Sequence, residues 1–527
     1  MKIHKLVALC LALCFAACSV SVRTSSDKSS EQPKSVEQRN PDIVELTFLQ
    51  LNDVYEITPV EGGKFGGMAR VATVKKELVQ ENPNTFTVLS GDFISPSAVG
   101  TSSYQGKRIN GAQMVAAMNS VGVDFVCFGN HEFDLGYEPL QSRINESKFT
   151  WISSNILYTP SVEGGVKPFE KVVDGKEEPF PESYIIKAKN SSGAEVKIGV
   201  LGLTIGSNKP PYVVWNDPFE SARRVVNGLK PKTDFIVALT HLSIEEDNQL
   251  ASLVPEIKLI LGGHEHTNMM FKVGEALISK ADANARTAYI HRLRWSSSKK
   301  SLTITSELKA IDASIAEEPA TAKIVNEWTT RAYAGFQEKG FNPEEVVATL
   351  KEPLDGRESS IRYRQTNLGS LIAKAMVAAA KNAKIAVFNS GSIRLDDQLS
   401  GVATQYDIIR TMPFGGKIVE AEMKGSLLQK LLDAGASNVG KGGFLQYEGV
   451  VFDSTKKAWS VARKAVEPAA KYWVIVSDYL FSGKEQGVEF FKKDNPDVVS
   501  VNEPNASDTN DLRRDIRLAV IEYLKKN

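Results

Sequence analysis

Five short runs of apolar, β-branched and aromatic residues recur through the first half of the chain. They are VELTFLQLN from Val44, TFTVLSG from Thr85, VDFVCFGN from Val123, DFIVALTH from Asp234 and IKLILGGH from Ile257. Continuous apolar runs of this length predict strands buried on both faces. Between them, residues 67–80 (GMARVATVKKELVQ) and 111–121 (GAQMVAAMNSV) carry helical spacing. Alternation of strand and helix predicts an α/β body over 43–316. Residues 317–340 form a long amphipathic pattern with few strand signals, which predicts a connecting helix. From 341 a second α/β body follows: the helix QTNLGSLIAKAMVAAAKNA, the strand KIAVFNSG, the helix GSLLQKLLDAGA, the strand KYWVIVSDYL and a closing helix DLRRDIRLAVIEYLKK, ending at 527.

The N-terminus follows another pattern. Lys2 and Lys5 precede an apolar stretch over 6–17, too short for an ordinary membrane span, and Ala16 and Ala17 lead into Cys18. Residues 1–18 resemble a bacterial lipoprotein signal, with Cys18 as the lipidated residue, although Phe15 stands where such signals usually carry Leu. A plain secretory signal cleaved nearby is the alternative. Residues 19–42 are polar and Ser-rich, which predicts a flexible tether. The expectation is an exported, membrane-anchored protein facing the periplasm or cell surface. Of four cysteines only Cys127 lies beyond position 18, which leaves no intramolecular disulfide framework.

Composition narrows the partners. Hydrophobic residues make up 42% of 527, enough for sizeable cores. Lys and Arg total 63 and so do Asp and Glu, which gives no reason to expect a nucleic-acid polymer as partner. An anion must therefore be bound locally, by a few arginines or by metal ions. Nothing in the composition sets the oligomeric state.

The five predicted strands share a chemical feature. Each ends near a residue able to ligate a divalent cation: Asp53, Asp92, Asn130 with His131, His241, and His264 with His266. Open α/β sheets place ligand sites beyond the carboxyl ends of their strands. Four of the six histidines fall in these loops. Mixed imidazole and carboxylate donors suit Zn, Mn, Fe or Co better than Mg alone. Two such ions would supply a nucleophile at neutral pH and neutralise phosphoryl charge, and Asp92, beside Gly91, is the natural bridging carboxylate. His291 belongs to no motif and is expected to be structural, while His4 leaves with the signal.

The motifs LQLND, GD, GNHEFD, TH and GGHEHT resemble, in order, those of the calcineurin-like metallophosphoesterases. RYRQTNLG, NSGSIR, MPFGG and SDYLFSG narrow the likeness to the 5′-nucleotidase family. The resemblance implies a metallophosphoesterase β-sandwich flanked by helices, linked by a helix to an α/β substrate-binding domain. It implies one metal on Asp53, Asp92 and His266, and a second on Asp92, Asn130, His241 and His264. It assigns His131 and Asp134 as the catalytic dyad, with His131 stabilising phosphoryl charge and Asp134 fixing its tautomer. One departure stands out: the family's first motif is Asp-x-His, and here it reads Asp53-Val54-Tyr55. Tyr55 either ligates as a phenolate or points away and leaves a coordination position open.

The second body would read the substrate. By resemblance, Arg362, Arg394 and Arg357 clasp phosphate and neighbouring groups, a task suited to guanidinium forks. Asn389 opens a segment in which Ser390 and Ser392 replace family glycines. Phe414 and Tyr479 correspond to the aromatics that sandwich the base, and Glu485 stands where the family has a ribose-binding Asp. The implied activity is hydrolysis of nucleoside 5′-monophosphates, with domain rotation about the 317–340 connector. A 2′,3′-cyclic nucleotide phosphodiesterase or a nucleotide-sugar hydrolase on the same fold is the alternative. A nucleotide-binding lipoprotein with an impaired metal site is the alternative from another class.

Overall fold

The structure is a computed structural model that describes residues 41–160, 164–207, 209–505 and 507–527. Cys18, the apolar stretch before it and nearly all of the expected tether lie outside the described residues. Among the described residues no helix is long and apolar enough to cross a membrane.

All five apolar runs form strands, and they divide between two six-stranded sheets. In the first sheet Ile43–Leu51, Thr85–Ser90, Phe125–Cys127 and Thr150–Trp151 run parallel in that order. In the second, Glu195–Thr204, Phe235–His241, Ile257–Gly262 and Ala276–Lys280 do the same. The sheets pack face to face through Leu46, Phe48, Val88 and Cys127 from one and Ile198, Val200, Val237, Leu239 and Leu259 from the other. Cys127 is a buried free thiol within this layer. Both faces of most of these strands are buried, which explains why the runs are continuous rather than alternating.

The outer faces are covered by helices. Met68–Glu81, Ala112–Val121 and Tyr137–Glu146 lie on the first sheet, and Pro218–Leu229 and Ile244–Leu253 on the second. Two antiparallel strands not expected from the pattern, Thr287–Ser296 and Ser301–Ala310, extend the first sheet beyond Ile43–Leu51.

The connector is a helix, Pro319–Glu338. Pro319 opens it, and the Glu318 carboxylate accepts the Thr321 backbone N–H. Its first half packs through Val325 on the helix-covered outer face of the first sheet, and its second half through Ala332 and Phe336 on a cluster that reaches into the second body. That body is built on a five-stranded sheet ordered Leu445–Glu448, Ile385–Asn389, Lys471–Ser477, Ile418–Lys424 and Val498–Asn502. Asn367–Ala379 and Ile516–Lys526 cover one face, and Gly425–Ser437 covers the other. Ala98, Val99 and Ile109 of the first body belong to the same apolar cluster as Leu368, Ile393 and Ile409 of the second, so the two bodies share buried apolar surface.

His291 is buried in the strand Thr287–Ser296. Its Nε2 meets Gln50 Oε1 at 2.9 Å and Ser279 Oγ at 3.1 Å, and its Nδ1 meets Ser306 Oγ at 2.7 Å. Burial pushes its pKa down to about 3, whereas an unfolded histidine titrates near ~6.5. Between these values the unfolded chain binds a proton that the folded chain refuses. The stabilising contribution is therefore complete above the unfolded pKa and is lost as pH falls. Between pH ~6.5 and ~5.5 the protein is expected to lose about 1 kcal/mol more unfolding free energy than His291→Gln. Denaturant titrations of both proteins across that range check this; parallel pH profiles would contradict it.

Candidate metal centre and substrate cleft

The carboxyl ends of the parallel strands bring the motif residues together. Asp53 follows Ile43–Leu51, Asp92 follows Thr85–Ser90, Asn130 and His131 follow Phe125–Cys127, His241 ends its own strand, and His264 follows Ile257–Gly262. Asp53, Asp92 and His264 adopt φ of 52°, 55° and 82°. Left-handed backbone in non-glycine residues is uncommon and tends to gather at functional sites. Here it aims the side chains inward at the ends of extended segments. The loops pack so closely that a Cβ on Gly91 would come within 2.5 Å of Gly129 N and 2.6 Å of His241 Nδ1. That approach, together with a φ of 75°, requires glycine at position 91.

The donor atoms suit a cation. Asp53, Asp92 and His241 each offer one atom within 4.8 Å of the others, and all three are buried. His241 Nδ1 donates to the Ser90 carbonyl at 2.8 Å, which directs the Nε2 lone pair of the neutral ring toward Asp92 Oδ2 at 3.2 Å and Asp53 Oδ1 at 3.9 Å. Burial opposes a second proton on this ring, yet the Asp92 and Asp53 carboxylates outweigh it and push the pKa up to about 9. Electron-rich atoms so arranged are held by a proton or by a metal ion, and metal binding displaces the proton. The His264 ring packs edge-on to His241 at 5.3 Å, and burial lowers its pKa, which favours the neutral, ligating form. Its backbone N–H donates to Asp53 Oδ2 at 2.9 Å.

Tyr55 does not point away. Its hydroxyl lies 3.2 Å from Asp92 Oδ2, 3.4 Å from Asp53 Oδ1 and 3.1 Å from His266 Nε2. The ring is buried, and burial, with Asp92 and Asp53 adding to it, drives the phenol pKa well above its ordinary value. The Tyr55 oxygen thus faces the centre, with its hydroxyl donating to Asp92 Oδ2, an arrangement different from both a ligating phenolate and a side chain turned away.

His131 stands at the edge of this cluster. Its backbone N–H donates to Asp92 Oδ1 at 2.8 Å. Its Nδ1 pairs with Asp134 Oδ2 at 2.7 Å, and its Nε2 faces Arg394 Nη1 at 3.4 Å. Burial works against the imidazolium, but Asp134 and Asp92 raise the pKa overall. His131 and Asp134 form one wall of a cavity of about 500 Å³ whose other lining includes Arg362, Asn389, Arg394, Phe414, Tyr479 and Glu485. Phe414 and Tyr479 are 47% and 48% exposed, which leaves ring surface open to a ligand. Arg394 lies 5.9 Å from the Phe414 ring centre. Asn389 Nδ2 donates to Glu485 Oε2 at 2.8 Å, and burial raises the Glu485 pKa. Arg357 is not brought to the cavity; its guanidinium rests on Asp355, with Nε 2.8 Å from Oδ1, toward solvent.

Two family profiles match in tandem: the calcineurin-like phosphoesterase over residues 46–268 and the 5′-nucleotidase C-terminal domain over 346–493. The chain belongs to the 5′-nucleotidase family. It is similar to the trifunctional nucleotide phosphoesterase protein YfkN of Bacillus subtilis, 28% identical over 456 residues, 79% of this chain and 30% of that one. It is also similar to human 5′-nucleotidase, 27% identical over 469 residues, 78% of this chain and 76% of that one. Among solved structures, a 5′-nucleotidase precursor from Thermus thermophilus superposes with a TM-score of 0.71 at 23% identity, covering 92% of this chain and 96% of that one. The chain is a metal-dependent phosphoric ester hydrolase, and calcineurin-like phosphoesterases use a dinuclear metal site.

In this 5′-nucleotidase-family protein several residues beyond those singled out from the sequence hold the ligand loops. Glu132 is fully buried and accepts four backbone N–H groups, from Asp92, Phe93, Ile94 and Gly129, at 2.6–3.0 Å. Burial and the neighbouring Asp92 push its pKa up to about 7, against those donors. Glu265, between the two loop histidines, pairs with the buried Lys280, whose Nζ also meets Asp247 Oδ2 at 2.9 Å. Asn284 Oδ1 accepts the backbone N–H groups of Tyr55 and Glu56. Glu132 and Glu265 lie inside the quoted motifs, so their positions were visible. Lys280 and Asn284 carry no motif, and only the fold brings them to the site.

Proposed function

We propose that this chain is an exported, lipid-anchored 5′-nucleotidase that hydrolyses nucleoside 5′-monophosphates to nucleoside and phosphate. The observation that carries the reading is a single cavity bounded on one side by His131 and Asp134 and on the other by Arg362, Arg394, Phe414, Tyr479 and Glu485. A body over 43–316 performs the chemistry, residues 317–340 connect, and a body over 341–527 holds the nucleoside. Cys18 carries the lipid after removal of the signal. Similarity to a nucleotide phosphoesterase and to 5′-nucleotidases supports the substrate class.

Asp53, Asp92 and His266 would hold one metal ion, with the Tyr55 oxygen beside it, and Asp92, Asn130, His241 and His264 the other. Bound, the pair supplies Lewis-acid neutralisation of the phosphoryl oxygens and activates the attacking water; donors of this mixed kind suit Zn, Mn, Fe or Co. Arg394 and Arg362 orient the phosphate. His131 presents Nε2 to the phosphoryl group, while Asp134 holds its Nδ1–H and stabilises positive charge on the ring. Phe414 and Tyr479 stack on the base, and Glu485 with Asn389 receives the ribose hydroxyls.

Hydrolysis of AMP, a 2′,3′-cyclic nucleotide, a nucleotide sugar and ribose 5-phosphate, each followed as loss of the substrate itself, tests this. AMP is expected to have the highest kcat/KM. Joint Phe414→Ala and Tyr479→Ala substitution is expected to raise KM for AMP at least about tenfold, because stacking is worth ~1–3 kcal/mol per base. Turnover of ribose 5-phosphate, which has no base, is expected to change little. Faster turnover of the cyclic nucleotide or nucleotide sugar, or equal losses on AMP and ribose 5-phosphate, would contradict the assignment.

A further inference from the structure

The two ring nitrogens of His266 face different parts of the chain. Nε2 turns to the metal centre, 3.5 Å from Asp53 Oδ1 and 3.1 Å from the Tyr55 hydroxyl. Nδ1 turns to the second body, 2.9 Å from Asp396 Oδ2 and 3.1 Å from Glu358 Oε2. Neither carboxylate is idle. Glu358 Oε1 receives Arg362 Nε at 2.9 Å and Nη2 at 2.8 Å, and Asp396 Oδ1 accepts the Glu358 backbone N–H at 2.9 Å. Asp396 is held in left-handed backbone at φ 49° and is 8% exposed. Arg286 of the first body donates to the His266 carbonyl at 3.1 Å and lies 3.9 Å from Asp396 Oδ2. A continuous set of polar contacts therefore runs from the expected first metal, through His266 and Glu358, to a phosphate-binding arginine.

A metal-ligating imidazole gives its second N–H to a carboxylate, a backbone carbonyl or water, which fixes the ring orientation and raises its basicity, and loss of such a partner costs ~10–100-fold in affinity or activity. For the other ligand histidine with a visible partner, His241, that partner is the Ser90 carbonyl of the same body. For His266 both carboxylates come from the opposite body. The centre that contains Tyr55 in place of a histidine is thus completed from outside its own domain.

We infer that Glu358 and Asp396 are positioning residues for the first metal, acting through His266, so that docking of the second domain and occupancy of that site reinforce each other. The inference rests on the two-metal reading. Coupling between two binding equilibria is reciprocal: if docking tightens the metal, the metal must tighten docking by the same factor. A purely structural ion pair between the bodies would affect docking and leave metal affinity unchanged.

Calorimetric titration of the metal-stripped full chain with manganese, without nucleotide, separates these cases. Wild type is expected to show two binding events. Joint Glu358→Gln and Asp396→Asn substitution is expected to weaken one of them tenfold or more and to leave the other within about twofold. Hydrogen exchange supplies a second readout. Manganese is expected to slow amide exchange across residues 356–362 and 393–397 in wild type and to have no such effect in the double variant. Asp396→Asn alone, which keeps the volume and one acceptor oxygen, carries the same comparison should the double variant unfold. Two manganese affinities within twofold of wild type in a folded variant would overturn the inference while leaving the two-metal reading intact. A wild type that binds no manganese would overturn both.

Discussion

Replacing Asp92 by Asn is expected to lower phosphate release from AMP by about 10³-fold or more and to reduce the metal retained after dialysis. Asp92 is 1% exposed, and its carboxylate faces the centre. Oδ2 lies 3.2 Å from both His241 Nε2 and the Tyr55 hydroxyl, and Oδ1 accepts the His131 backbone N–H at 2.8 Å. As the proposed bridging carboxylate it would touch both ions, so neutralising it is expected to weaken both at once. Metal stabilisation of phosphoryl charge is worth several kcal/mol, and ~4 kcal/mol corresponds to about a thousandfold in rate. Asn keeps the shape and an acceptor for the His131 N–H, which favours a folded variant. Metal analysis with AMP kinetics checks the outcome; full metal content with near-normal turnover would show that Asp92 bridges nothing.

The second large effect is expected at His131. His131→Ala should lower kcat for AMP by ~10²–10⁴-fold, the usual range for a positioned proton-transfer or charge-stabilising side chain. Adenosine binding should change far less, because in the proposed binding mode the ring meets the phosphate while Phe414, Tyr479 and Glu485 hold the nucleoside. His131 is oriented at both nitrogens, by Asp134 at 2.7 Å and Arg394 at 3.4 Å, so alanine removes an aligned group rather than a mobile one. Adenosine inhibition constants measured alongside kcat check this. Parallel losses in adenosine affinity and kcat would remove His131 from its assigned role.

Much of the fold could be read because burial leaves a plain signature. Strands covered on both faces, such as Phe235–His241 and Ile257–Gly262, need apolar residues at consecutive positions, and helices over them need apolar faces. The hairpin Thr287–Ser296 and Ser301–Ala310 escaped notice because its outer strand alternates between exposed and partly buried positions and is interleaved with charge. At the site, strand-end residues were legible as an ordered set. The direction of Tyr55 was not, since it depends on the left-handed turn at Asp53 and on Asn284, more than two hundred residues away, holding the Tyr55 backbone. Arg357 and Glu358 show a related limit. They are neighbours in sequence, yet the turn at the start of Glu358–Ile361 sends Arg357 to Asp355 at the surface and Glu358 to His266. Charge type alone does not say which of two adjacent residues enters a cleft.

The strand-end cluster is proposed to work as a two-metal centre despite tyrosine at position 55. Elemental analysis of the purified protein, coupled to AMP turnover before chelation, after chelation and after return of manganese or zinc, tests it most directly. The account predicts about two metal ions per chain, loss of turnover on chelation and recovery on their return. A chain that holds no metal and hydrolyses no AMP with any divalent ion would contradict it and leave a nucleotide-binding protein on a hydrolase fold.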